Sequence, residues 1–143
     1  MIVLDTTVLV YAKGTDHPLR EECRRLVEAM GRRDVEATTT PEVIQEFAHV
    51  RARRRGRDDA ASLALAYAEL LAPLLVVRDE HLRLGLRLFE RHVEIGAFDA
   101  VLAAVTLEAG ADALVTADAA LGVVDGLRAI HPASPEFETL FSS

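Results

Sequence analysis

The chain has one cysteine, Cys23, and one lysine, Lys13, in 143 residues. A single cysteine excludes an intramolecular disulfide, and on a helical pattern it reads as a buried, inert thiol. The spacing of a zinc site is missing as well. The histidines, His17, His49, His81, His92 and His131, are scattered, with no H-E-x-x-H pair among them. Long apolar runs are absent. Stretches such as Leu70 to Val77 are far too short to span a bilayer. No basic start leads into an apolar segment and a small-residue cleavage site, because Asp5 interrupts the N-terminus, so a cytoplasmic location and no membrane contact are expected. A net charge of -7 at pH 7 excludes a surface that coats nucleic acid generally. It does not exclude a nuclease, whose acidic metal centre contributes negative charge of its own.

What is present is half hydrophobic, at 50%, and 27% charged, the composition of an ordered globular chain. Residues 1–143 are expected to form one domain, with enough length for a substantial core. Short apolar segments of strand length alternate with helical patterns. Ile2-Val3-Leu4 reads as a buried strand, and Val35 to Thr38 as a second. Pro73 to Val77, Ala113 to Val115 and Leu127 to Ile130 follow as the third, fourth and fifth. Helical spacing covers Asp16 to Met30, Pro41 to Arg55, Asp58 to Leu71, Asp79 to His92 and Ala97 to Glu108. Thr40-Pro41-Glu42 is a strong helix start. The alternation predicts an α/β domain built on a parallel sheet.

Four carboxylates lie against apolar sequence. Asp5 ends the first strand, Glu46 stands between Val43 and Val50, and Asp118 follows Ala113-Leu114-Val115. Asp99 is the only charged residue from Ile95 through Leu107. Each is costly near a core unless its charge is offset. In open parallel sheets functional groups collect beyond the carboxyl ends of the strands, where strand order reverses. If the first and fourth strands are neighbours there, Asp5 and Asp118 share one mouth. Four converging carboxylates would call for a shared cation. Each also has an ordinary use: Asp5, Asp99 and Asp118 as helix caps, and Glu46 as the partner of an arginine.

Asp5-Thr6-Thr7 after a first strand, a mid-helix Glu46, Phe98-Asp99-Ala100, and Thr116-Ala117-Asp118 after a late strand together resemble the PIN-domain nucleases. Within these the chain is similar to the VapC toxins of type II toxin–antitoxin pairs. The resemblance implies a three-layer α/β/α fold with a short parallel sheet in the order 3-2-1-4-5. It implies a pocket for one or two Mg²⁺ or Mn²⁺ ions, with Asp5 and Asp99 as principal ligands and Glu46 and Asp118 completing the set. Thr7 and Thr116 would orient them. The activity implied is metal-assisted endonucleolytic cleavage of RNA. The partners implied are a VapB-type antitoxin and a second copy in a homodimer. The helix from Asp58 to Leu71 and the apolar tail residues Phe137, Leu140 and Phe141 are candidate contact surfaces.

The arginines crowd into one run, Arg51, Arg53, Arg54, Arg55 and Arg57, which could grip RNA phosphates, bind an acidic partner, or simply complement a helix end. Two other readings compete. One is a PIN-fold nuclease of RNA processing outside toxin–antitoxin systems; the other is a metal-free interaction module. A phosphoacceptor receiver domain would need a late lysine, and a haloacid-dehalogenase phosphatase a second Asp where Thr7 stands.

Overall fold

The structure, a computed structural model, describes residues 1–142. Strand β1 (Ile2–Leu4) is buried on both faces, as expected of three apolar residues in a central parallel strand. Asp5 caps the helix that follows at once, α1 (Thr6–Lys13). Helix α2 (Arg20–Gly31) buries Cys23, Leu26, Ala29 and Met30 at helical spacing. It starts later than the sequence pattern suggests: Pro18 and Leu19 lie outside it, and the His17 ring accepts the Leu19 N–H at 3.1 Å. Burial pushes the Cys23 thiol up to about 12, so it stays protonated and inert.

Strand β2 (Ala37–Thr38) leads through Thr39 into the Thr40 N-cap of α3 (Pro41–Arg55), whose hydroxyl accepts the Val43 N–H at 3.2 Å. Gly56, at φ +87°, then reverses the chain into α4 (Arg57–Leu70), a left-handed conformation that a side chain would resist. Tyr67 of α4 stacks edge-on against Phe47 at 4.9 Å and donates its hydroxyl to the Leu9 carbonyl at 3.1 Å. That ties the α3–α4 hairpin to α1.

Helices α5 (Asp79–Arg91) and α6 (Ala97–Glu108) pack closely where Gly85 lies on Val101. The buried His81 fixes the other end: its Nδ1 accepts the Arg78 N–H at 2.8 Å and its Nε2 donates to Glu108 at 2.7 Å. Strand β3 (Ala113–Val115), a short 3-10 turn over Ala119–Val123 and strand β4 (Ala129–Ile130) complete the sheet. All pairings are parallel, in the order β2-β1-β3-β4. Helix α6 is buried on nearly every side, consistent with its apolar sequence.

The sheet has four strands, not five. Residues 73–77, expected as the outer third strand, run extended beside β2 but form no ladder. Leu75 N–H reaches the Thr39 carbonyl at 2.9 Å, yet the carbonyls of Leu71 and Pro73 are taken by the Thr38 hydroxyl instead. Pro73 has no N–H to give, and Val76 is 63% exposed rather than buried. The rest of the expected order stands. The tail also differs from expectation. Phe137 is buried in the core, and Phe141 packs edge-on against it at 5.2 Å with the Arg25 guanidinium over its ring at 3.9 Å. On α4, Leu65 is exposed, but the longer apolar stripe open to solvent lies on α5, at Leu82, Leu86 and Phe89. Among the described residues no helix is long and apolar enough to cross a membrane.

A Cβ on Gly85 would stand 2.7 Å from Val101 Cα, so α5 and α6 would have to separate. Gly85→Ala is expected to lower unfolding free energy by about 1–3 kcal/mol in a urea titration, with the helical circular dichroism of the folded state retained.

Candidate active site

β1 and β3 are hydrogen-bonded neighbours, and the chain leaves them toward opposite edges of the sheet. Their carboxyl ends therefore flank the reversal of strand order. Asp5 leaves β1 there, with its N–H on the Val115 carbonyl at 3.0 Å. Asp118 leaves β3 three residues after its end. Both cap helical turns, as local chemistry predicts: Asp5 Oδ1 accepts Thr6 N–H at 2.7 Å, and Asp118 Oδ1 accepts Ala120 N–H at 3.0 Å. Capping occupies one oxygen of each carboxylate and leaves the other available.

Asp5 is only 3% exposed. Its second oxygen receives the Thr116 hydroxyl at 2.7 Å and, more weakly, the Thr7 hydroxyl at 3.5 Å. Thr116 also accepts the Asp118 N–H at 3.0 Å, so one hydroxyl links the two acids. Thr7 accepts the Ala117 N–H at 3.4 Å and ties the same loops. Glu46 is exposed at the rim, on the outer side of α3, with Val43 buried beneath it. Its partner is not an arginine but the Thr6 hydroxyl, at 3.3 Å. Asp99 is half-buried in the first turn of α6 and does not cap it; that position belongs to Gly96.

The four acids lie close enough to act on one another. Burial pushes Asp99 up to about 7, and the negative charges of Asp5 and Asp118 push in the same direction. A hydrogen bond to Asp118, which only the protonated acid can donate, adds to this, and Glu46 contributes last. Asp5 is also raised, by burial first; hydrogen bonds from Thr116 and the Thr6 backbone oppose that, and Asp118 repulsion reinforces it. Among the described residues none of the four has a basic partner within 4.0 Å. Nor do any three His, Cys, Asp or Glu side chains already close into a cage for an ion.

The PIN domain family profile matches residues 2–127. The chain belongs to the PIN-domain family. Within it, the chain is 55% identical to Ribonuclease VapC7 of Mycobacterium tuberculosis over 124 residues, covering 84% of this chain and 83% of that protein. This relationship places it in the VapC branch. The fold is similar to the crystal structure of Mycobacterium tuberculosis VapC20, described as a Sarcin-Ricin loop cleaving toxin. The TM-score is 0.67 at 17% identity, over 80% of this chain and 87% of that one. It is also similar to VapBC2 from Rickettsia felis bound to a DNA fragment from their promoter. There the TM-score is 0.70 at 16% identity, over 92% of this chain and 98% of that one.

In this PIN domain the sheet thus gathers Asp5, Glu46, Asp99 and Asp118, with Thr7 and Thr116 on Asp5. Sequence reasoning passed over Thr6, which holds Glu46. Its signal was its place at the first helical position beside Asp5. The arginine run is not one surface. Arg51 is only 15% exposed, paired with Asp59 and donating to the Lys13 carbonyl at 3.0 Å. Arg53, Arg54, Arg55 and Arg57 are exposed.

The raised Asp99 sets a pH dependence. Between the ordinary 3.8 and about 7, the folded chain holds a proton that the unfolded chain releases. Stability from this group is therefore greatest at low pH and is lost as pH rises toward neutrality. In metal-free protein, the melting temperature of wild type relative to Asp99→Asn should fall across that window and level off above it. A constant difference between the two across the window would contradict the electrostatic coupling.

Proposed function

We propose that this chain is a divalent-metal-dependent endoribonuclease acting at the pocket of Asp5, Glu46, Asp99 and Asp118, as the toxin of a toxin–antitoxin pair. Membership of the VapC branch carries the ribonuclease part. The observation that carries the site is the convergence of four carboxylates with, among the described residues, no basic partner within 4.0 Å; burial first, and then the charges of the other acids, push Asp99 up to about 7.

The donor set fits Mg²⁺ or Mn²⁺, hard ions that take oxygen ligands and keep several waters. Asp5 and Asp99 would hold one or two such ions, with Glu46 and Asp118 binding directly or through water. When bound, the metal supplies charge neutralisation and an activated water for phosphodiester hydrolysis. The protein's own part is orientation. Thr116 and Thr7 fix the free oxygen of Asp5, and Thr6 holds Glu46 at the rim. Asp99, raised by burial first and by the charges of Asp5 and Asp118 next, would bind a cation as its carboxylate, and a cation there would offset that repulsion.

Residues 1–143 act on this reading as one nuclease domain. The partner is a VapB-type antitoxin, the assembly a homodimer, and the location cytoplasmic.

Expression of wild type beside Asp5→Asn and Asp99→Asn, with RNA end-mapping, tests the reading. Each variant is expected to lose at least about 100-fold in cleavage, the scale of removing one preorganised charged group from a reacting centre. Wild-type products should carry a 5′-phosphate and a 3′-hydroxyl. Equal RNA profiles for all three proteins would overturn the proposal.

Metal should also stabilise the fold by mass action, by about 2.7 kcal/mol at a hundredfold excess over Kd. A Mg²⁺ or Mn²⁺ titration should raise the wild-type melting temperature and leave that of Asp99→Asn nearly unmoved.

A further inference from the structure

The fold splits the arginine run into three parts. Arg51 and Arg55 both act on Asp59, whose carboxyl they hold below its usual range. Arg54 turns over the end of α1, its guanidinium 3.8 Å from where a Gly14 side chain would begin. Arg53 and Arg57 turn the other way. With His49 they border an open cleft of about 550 Å³ between α3 and α4, floored by alanines such as Ala52 and Ala60. No acidic side chain lines that cleft, and among the described residues Arg53 and Arg57 have no carboxylate within 4.0 Å.

Helix α3 carries residues of both the acidic pocket and the cleft. His49 and Arg53 lie three and seven residues beyond Glu46, which places all three on one face of the helix. At about 1.5 Å rise per residue, Arg53 stands about 10 Å along the axis from Glu46. That is about three nucleotides of a stacked strand at about 3.4 Å each. A strand whose scissile phosphate sits among the four acids, and which leaves along α3, meets imidazole and then guanidinium. The whole chain carries a net charge of -7, so a polyanion gains most where cations stand without acids beside them. The small apolar floor leaves room for a sugar edge between the cations.

We propose that His49, Arg53 and Arg57 form a seat for the backbone phosphates of the RNA strand, about three nucleotides from the bond that is cut. The seat rests on the ribonuclease reading above. It fixes the strand's path, not the chemistry.

The test compares Arg53→Ala/Arg57→Ala with Arg54→Ala/Arg55→Ala, two double variants with the same change in charge. Anisotropy of a labelled dodecamer RNA, in EDTA and across a salt series, measures binding independently of cleavage. The first variant should bind about tenfold or more weakly at low salt, and its log–log salt slope should shrink by about 1.4, two single-strand phosphate contacts. The second should stay within about threefold of wild type. With Mg²⁺, the first variant should raise KM for the dodecamer while keeping kcat, and should cut a trinucleotide as wild type does.

Equal behaviour of the two variants would overturn the seat, as would wild-type RNA binding by the first. Loss of antitoxin binding alone in that variant would also overturn it, assigning the cleft to a protein. If wild type cleaves but the variants match, only the seat falls. If wild type neither binds nor cleaves RNA, the ribonuclease reading falls with it.

Discussion

A buried carboxylate at the end of the central strand is the constraint on which the rest of this molecule depends. Among the described residues Asp5 has no cationic group within 4.0 Å, only neutral hydrogen bonds from Thr6, Thr7 and Thr116. Those donors come from α1 and from the loop after β3. The acid can be held only where β1 and β3 lie side by side. The same pairing brings Asp118 to the mouth and lets one hydroxyl, that of Thr116, serve both acids. Core packing and the site are therefore coupled: the apolar strands that form the sheet also deliver charge to its edge.

The helices complete the arrangement by different means. Helix α6 is pinned on nearly all sides, so Asp99 has little freedom to escape the charges around it. Glu46 is held more loosely, at the exposed face of α3, with a single hydroxyl contact. The threonines after β2 add stiffness: Thr39 donates to the Leu4 carbonyl at 2.7 Å, and Thr40 caps α3. Three successive buried hydroxyls, Thr38 to Thr40, thus position the helix that carries Glu46.

The electrostatics are divided by place. Four acids meet at the pocket, and elsewhere several arginines are engaged in ion pairs, such as Arg25 with Glu138 and Arg51 with Asp59. Asp59 of α4 pairs with Arg51 of α3, and the charge of Arg55 acts on the same carboxyl, so an ion pair ties the two helices of the hairpin. Arg53, Arg54 and Arg57 take no part in that pairing, and among the described residues none of them has a carboxylate within 4.0 Å. A cluster that is uniform in sequence becomes a structural brace on one side and a free cationic edge on the other.

Much of this was written in residue order. Ile2-Val3-Leu4 could only be a buried strand, Thr40-Pro41 could only start a helix, and Asp99 in an apolar helix asked for an explanation. Those features are local, and short-range chemistry decides them. Tertiary structure decided the rest. Pro73 to Val77 has the composition of a strand but lies outside the sheet, because the Pro73 carbonyl meets the Thr38 hydroxyl and Pro73 has no N–H to give to a ladder. Phe137 looked like part of an exposed patch but packs into the core, with Phe141 edge-on against it. Thr6, the pairing of Arg51 and the division of the arginine run depend on contacts between residues far apart in sequence. The sequence by itself determined which acids would be costly. Only the fold, by bringing the ends of β1 and β3 together beneath α3 and α6, decided that their cost would be shared.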